Sequence, residues 1–176
     1  MKRHASAFPR GLIMKLSLRA ATFDDEALIK EFIGKAINAR AFNLEIKNTN
    51  KSINNLYQLE IRPALINCDP AIFGVIDEEV VAFTCGSTCC NSVFDLEEVT
   101  GVGIFTYVDA DWRRQGVATK LHLELLRQLI KKGCKRVVTD VMIHNTISLA
   151  SCDRLAESAS LRYSAISKRY ECKLNN

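Results

Sequence analysis

The sequence predicts a mixed α/β (α+β) domain, one central sheet of about seven strands with helices packed against it. Three observations carry that prediction. Strand-like apolar runs at 71–76, 80–85, 102–108 and 137–143 alternate with helix-like stretches of period 3.6. Residues 108–119 join one such run to a long amphipathic helix through a short loop with no large aliphatic side chain. The length of 176 residues suits a single domain, which at that size buries about two thirds of its unfolded surface and needs no covalent staples.

Taken in order, residues 1–14 read as a flexible leader. Lys2, Arg3, His4 and Arg10 face no acid there, and Pro9-Arg10-Gly11 signals a turn. The apolar stretch Leu12-Ile13-Met14 is too short for a signal-peptide core; a mitochondrial presequence is the less favoured reading, and Met14 is a candidate start. The folded domain is expected over 15–176. Residues 15–21 alternate Leu16, Leu18 and Ala20 with polar residues, as an edge strand does. Thr22 is a good N-cap, Asp24, Asp25 and Glu26 suit a first helical turn, and Leu28, Ile29, Phe32, Ile33 and Ile37 make the apolar face of that helix. A loop at 48–52 precedes a helix-like stretch that Pro63 is expected to end near Ile61. Asp77-Glu78-Glu79 turns a hairpin, and 86–98 reads as a small polar loop. Gly101 and Gly103 in the next strand point to a bulge or a close approach.

The following helix places Val117, Leu121, Leu125 and Leu129 on one line and ends at Lys131-Lys132-Gly133, with cations at its negative end and glycine after it. His122 on this helix is expected to face solvent. A second, continuously apolar strand at 137–143 reads as buried and central. A helix from Ser148 to about residue 158 and strands at 161–166 and 169–174 complete the chain.

Composition excludes some functions. The net charge of +4 is too small to argue for nucleic acid, and Arg113-Arg114 and Lys131-Lys132 lie at opposite ends of one helix, about 27 Å apart at the helical rise, so they form no single patch. No apolar run approaches the length that spans a membrane. The seven cysteines are odd in number, form no Cys-x-x-Cys pair and do not cluster with the three histidines, so they read as reduced thiols of a cytoplasmic protein with no metal site.

The loop at 109–119 carries the chemistry. A strand, a tight turn and the start of a helix together hold a phosphate: the turn presents N–H groups, and the first helical turn adds unpaired N–H groups and the positive end of its dipole. Gly116 and Ala118 keep that backbone approachable, and Arg113 and Arg114 add charge. No Gly-Lys-Ser/Thr follows, so this is not a Walker loop.

Arg113-x-x-Gly116-x-Ala118, after Val108 and Trp112, resembles the Arg/Gln-x-x-Gly-x-Gly/Ala motif of the GCN5-related N-acetyltransferases (GNAT). The element order also matches that fold. The resemblance implies two central strands that splay apart, with the pantetheine arm of acetyl-CoA in the gap. It implies a pyrophosphate on Arg113, Arg114, Gln115, Gly116, Val117, Ala118 and Thr119, a backbone oxyanion donor at Tyr107 or Val108, and a cofactor contact at Asn145. Arg154 and Lys120 are candidates for the 3′-phosphate.

Residues 148–161 further resemble the arylalkylamine branch of that family. This puts Ser148 and Cys152, four apart on one helical face, beside the thioester, with Cys152 a candidate acid for the departing thiolate. The other reading is that Ser148 caps the helix and Cys152 packs. Candidate bases are Glu31 and Glu98, with Glu97, Asp24 and Glu26 near them, since the strand at 102–108 holds no acid where many relatives carry a glutamate. The Gly-Phe that ends this helix in the branch is Ser160-Leu161 here, and its Glu-Pro-Leu-Asn phrase is Lys35-Ala36-Ile37-Asn38. His144, where the second central strand ends, could relay a proton or simply be solvated. Phe32, Phe42, Tyr57 and Tyr163 serve the core or the acceptor.

The expected function is acetyl transfer from acetyl-CoA to a small-molecule primary amine, arylalkylamine-like, by direct attack in a ternary complex, by a monomer or homodimer with no nucleic-acid or membrane partner. A CoA-binding module with little turnover and an acetyltransferase of protein or peptide amines are the alternatives.

Overall fold

The computed structural model describes residues 15–39, 41, 46–89, 99–142, 145–156 and 167–173. The leader, Glu97, Glu98, Phe42, His144, Tyr163 and the strand expected at 161–166 lie outside them. Six strands are described, forming one sheet in chain order: β1 (Ser17–Ala20), β2 (Ala71–Ile76), β3 (Glu79–Cys89), β4 (Thr100–Val108), β5 (Arg136–Met142) and β6 (Ser167–Lys173). All neighbours are antiparallel except β4 and β5, which run parallel because the helix α4 (Val117–Lys131) carries the chain back between them.

The first helix, α1 (Glu26–Asn38), follows a single 3-10 turn at Phe23–Asp25. Asp25 closes that turn by accepting from Thr22 N–H at 2.9 Å, and the Arg19 guanidinium grips the same carboxylate at 2.8 Å. Residues 50–66 form one continuous helical rod: α2 (Asn50–Leu56), a π turn at Tyr57–Ile61, and α3 (Arg62–Ile66). Thr49 caps it by accepting from Ser52 N–H at 3.1 Å, so the loop expected at 48–52 is mostly helix. Pro63 does not stop the rod as expected. In the wider turn Arg62 N–H reaches back to Tyr57 O, and this shift of register takes the chain past a ring that would crowd the i−4 carbonyl of a regular helix.

Strand alternation builds two cores. On one face Phe73, Phe83 and Phe105 meet Ile29, Phe32, Ile33, Tyr57 and Ile61 from α1 and the 50–66 rod, and the Phe73 and Phe83 rings are 4.9 Å apart. On the other, Ile72, Val81, Ala82, Val108 and Val137 meet Val117, Leu121, Leu125 and Leu129 of α4, the line the sequence marked. The hairpin turn places both Asp77 and Glu78 at positive φ, +48° and +67°, the mirror-image turn that suits strand twist. The strand β3 runs on to Cys89, further into the expected 86–98 loop, because Gly86 to Cys89 keep pairing with β4.

The feature that positions the site lies in β4. Cys85 pairs with Phe105 but Gly86 pairs with Gly103, so Ile104 is an extra residue, a bulge. From the same point β4 loses its other neighbour. The β4–β5 pairs run from Thr100↔Arg136 to Gly103↔Thr139 and stop there. At Gly103 a Cβ would lie 3.1 Å from Thr139 Oγ1, so glycine lets the two strands close up at their last pair. Beyond it they diverge, and Phe105 to Val108 have a partner on one side only.

Candidate active site

The open edge of β4 has a definite polarity. Asp109 N–H donates to Val81 O at 2.9 Å, which makes Val81 and Asp109 a hydrogen-bonded pair. Pairs alternate along an antiparallel ladder, so Tyr107 and Phe105 also turn their N–H groups to β3, while Val108 and Thr106 turn theirs to the gap. Of the two residues the sequence put forward, the backbone of Val108 faces the cleft and that of Tyr107 faces β3. Thr106, which sequence reasoning missed, faces it too.

At the end of that edge the chain turns into α4. Ala110–Trp112 form a 3-10 turn, Arg114 takes φ +61°, and Gly116 takes φ +79° as the N-cap, a conformation that costs a side-chain-bearing residue about 1–2 kcal/mol. Nothing lies within 4 Å of where a Gly116 Cβ would be, so its surface is open. Lys120 N–H is the first to bond a helical carbonyl, Gly116 O at 3.0 Å, which leaves the N–H groups of Val117, Ala118 and Thr119 without a bond inside the helix. The Val117 side chain is buried in the core, so its contribution here is backbone.

Arg113 holds the turn. Its Nε donates to Val108 O at 2.9 Å and its guanidinium lies 5.2 Å from the Tyr107 ring centre. Gln115 Nε2 donates to Asp111 O at 2.8 Å. These two side chains therefore shape the loop from within, while Arg114 is exposed.

The remaining candidates divide. Glu31 is exposed and paired with Lys35 at 3.1 Å, and Lys35 also reaches Asp109 at 2.9 Å beside the Phe32 ring. Burial pulls the Lys35 ammonium down, but bonds to Asp109 and Glu31 outweigh it and raise its pKa. Glu98 lies outside the described residues. Asn145 caps α5 (Thr146–Ala156): its Oδ1 accepts from Ser148 N–H at 3.2 Å and its Nδ2 donates to Ala41 O at 3.1 Å, so it ties the start of α5 to the backbone just after α1. The cap is Asn145, not Ser148. Ser148 and Cys152 are both half-buried on that helix.

The structure also corrects His122. Instead of facing solvent it turns inward, with Nε2 3.0 Å from Thr106 Oγ1, which in turn is 2.7 Å from Thr84 Oγ1. Its Nδ1 is sealed off without a partner, and burial lowers its pKa to about 4. Its signal was the position itself, one residue beyond Leu121 and three before Leu125 at the edge of the apolar stripe, where a solvated side chain and a buried one look alike.

The family follows from this geometry together with the sequence. Residues 40–155 match the model of the acetyltransferase (GNAT) family. The chain belongs to that family. Solved structures of the same fold include yncA of Salmonella typhimurium with acetyl-CoA, at 16% identity and TM-score 0.68 over 92% of this chain and 95% of that one. The PaiA N-acetyltransferase of Thermoplasma acidophilum, in complex with coenzyme A, aligns at 13% identity and TM-score 0.67 over 91% and 99%. The aminoglycoside N-acetyltransferase AAC(6')-Iy with CoA aligns at 18% and 0.62 over 88% and 93%. No curated protein matches the sequence. As a GNAT member the chain has the expected mixed sheet with flanking helices and divergent central strands.

Proposed function

We propose that this GNAT protein transfers the acetyl group of acetyl-CoA to a small-molecule primary amine by direct attack in a ternary complex. The observation that carries the reading is the conjunction of two unsatisfied backbone edges on one path. The free N–H groups of Val117 to Thr119 lie at one end, and the gap-facing N–H groups of Val108 and Thr106 lead away from them. Unpaired buried backbone groups are costly, so such an edge fits a ligand with its own amides. From Val108 back to Ile104 the strand spans about 13 Å, the scale of a pantetheine arm.

Acetyl-CoA supplies the activated thioester. Val117, Ala118 and Thr119 would hold its pyrophosphate, with Arg114 adding charge from the exposed side. The amides of Val108 and Thr106 would take the pantetheine groups and a carbonyl oxygen that gains charge. Ser148 and Cys152 share one helical face on α5, the side from which the sequence reading supplies a proton to the departing thiolate. The acceptor's ammonium, near pKa 10 in water, gives up its proton to a base or a water wire before attack. The arylalkylamine-like segment at 148–161 favours a small amine over a protein terminus.

Thiol release from acetyl-CoA, measured across a panel of amines with calorimetry of CoA binding alongside, tests this. Turnover with a small primary amine is expected. Tight CoA binding without turnover on any amine would leave a CoA-binding module instead, and no CoA binding would overturn the reading.

A further inference from the structure

A polar chain crosses the apolar interface between α4 and the sheet, beside the open edge of β4. Thr84 of β3 and Thr106 of β4 stand opposite each other in the ladder, on the same α4-facing side as Ala82 and Val108 two residues along. Thr84 is fully buried. The Thr106 hydroxyl has three neighbours: Thr84 Oγ1 at 2.7 Å, Phe105 O at 2.9 Å and His122 Nε2 at 3.0 Å. Of these, His122 alone comes from outside the β3–β4 ladder. It stands on α4 between Leu121 and Leu125, both buried in the core. One bond made, with Nδ1 buried and unpartnered, leaves the ring little net contribution to stability. What the ring does fix is geometry.

Thr106 is a residue whose backbone needs such a hold. Its N–H faces the gap, β5 has already left, and the Ile104 bulge lies two residues before it, so the ladder steadies it from one side only. His122 belongs to the helix whose first turn, Val117 to Thr119, carries the free N–H groups. The ring therefore joins the two separate parts of the cofactor path. We propose that His122 is a positioning residue: through Nε2 it holds Thr106 against α4, and so sets the aim of the Thr106 amide relative to the turn that holds the pyrophosphate. The proposal rests on the acetyltransferase reading and adds to it a residue which that reading does not use. His122 touches neither cofactor nor acceptor in this account and acts through Thr106. Val117 to Thr119 hold the pyrophosphate whether or not the link is made. Cutting the link therefore leaves CoA bound but misplaces its thioester end, and an error of a fraction of an ångström there lowers turnover by about tenfold. The two ring nitrogens can be told apart, because a glutamine side chain brings its amide to about the place of Nε2 and an asparagine to about the place of Nδ1.

The test compares the full chain with His122→Leu, His122→Gln, His122→Asn and Thr106→Val near neutral pH. Calorimetry gives the CoA Kd, and 15N-NMR gives the shift that saturating CoA induces at each amide, read within each variant; neither needs turnover. Steady-state kinetics with acetyl-CoA follow on the best amine of the panel. In His122→Leu the CoA-induced shift at Thr106 should fall to half or less while those at 113–119 persist. The CoA Kd should stay within about threefold, and kcat should fall about tenfold with a smaller change in KM. Glutamine should restore both the Thr106 shift and kcat, and asparagine should not. Thr106→Val, which keeps the backbone amide and cuts the same link from the strand side, should match His122→Leu, and combining the two should cost no more than either alone. An unaltered Thr106 shift and kcat in His122→Leu, rescue by asparagine as good as by glutamine, or additive losses in the double variant would overturn the proposal and leave the acetyltransferase reading intact. So would a Thr106 amide that does not respond to CoA bound by the unmutated chain. Loss of CoA binding by the unmutated chain would instead sink that reading and the proposal with it.

Discussion

Replacing His122 by leucine should remove a specific part of the protein's acid sensitivity. The imidazole sits between α4 and β4, bonded through Nε2 to Thr106, with Nδ1 sealed and unpartnered. A proton on Nε2 and a bare lone pair on Nδ1 satisfy this geometry, since the Thr106 and Thr84 hydroxyls can then pass their own hydrogens on toward Phe105 O. Adding a second proton would bury an unpaired charge, and that desolvation alone lowers the pKa from 6.5 to about 4. The unfolded chain binds the proton near pH 6.5 and the folded one does not until near pH 4. Folding stability is therefore whole above the unfolded value and falls as pH drops through the window between the two. The difference of about 2.5 units corresponds to about 3 kcal/mol, an order-of-magnitude figure. The assay is urea unfolding at half-unit steps from pH 4 to 8 for the unmutated chain and for His122→Leu. Carboxylates titrate in both, so the difference curve isolates the imidazole. It should be nearly flat above pH 7, where the variant gives up one hydrogen bond but also removes an orphaned nitrogen. Below pH 6 it should turn in favour of the variant. Parallel curves across the whole range would refute the reasoning, as would an NMR titration placing the His122 midpoint near 6.5.

Other outcomes follow from the same geometry. Gly116→Val should cost about 1–2 kcal/mol in stability through its φ of +79°, and should weaken CoA binding more than tenfold because the new side chain occupies the open face of the turn; calorimetry and thermal unfolding check the two effects separately. Arg113→Lys should behave like Arg113→Ala in CoA affinity, because an ammonium cannot reproduce both the bond to Val108 O and the contact with the Tyr107 ring; a lysine variant with unaltered affinity would show that only the charge matters. Asp69 is buried, accepts from Thr88 N–H and Oγ1 and pairs with the exposed Lys132 at 3.0 Å, so Asp69→Ala should destabilise by about 1–3 kcal/mol in chemical denaturation, chiefly by leaving Thr88 without its acceptor, and an unchanged stability would contradict that role.

Much of the fold was legible because its signals are periodic and local. Four residues of α4 fell on one apolar line, and all four are buried; the hairpin turn and the helix-initiating turn at Thr22 were written in short polar motifs. The turn into α4 was legible for the same reason, since a glycine before a helix leaves few backbone choices. What could not be read was decided by tertiary pairing. The splay of β4 from β5 depends on where a bulge at Ile104 and a close contact at Gly103 fall; Gly101 and Gly103 signalled a bulge or a close approach in this strand, but not which residue would carry each. The direction of the Thr106 and Val108 amides depends on ladder phase, which one residue of register reverses. Pro63 misled because a π turn absorbs it. Asn145 gave a polar signal that serves the cap of α5.

The central claim is that CoA lies along the turn into α4 and the open edge of β4, and a 15N-NMR titration of the full chain with CoA tests it residue by residue. The account predicts saturable shifts concentrated at the amides of residues 113–119 and at Thr106 and Val108, with Phe105 and Tyr107, which face β3, moving less. Saturable shifts confined to another face, or none at millimolar CoA, would contradict it.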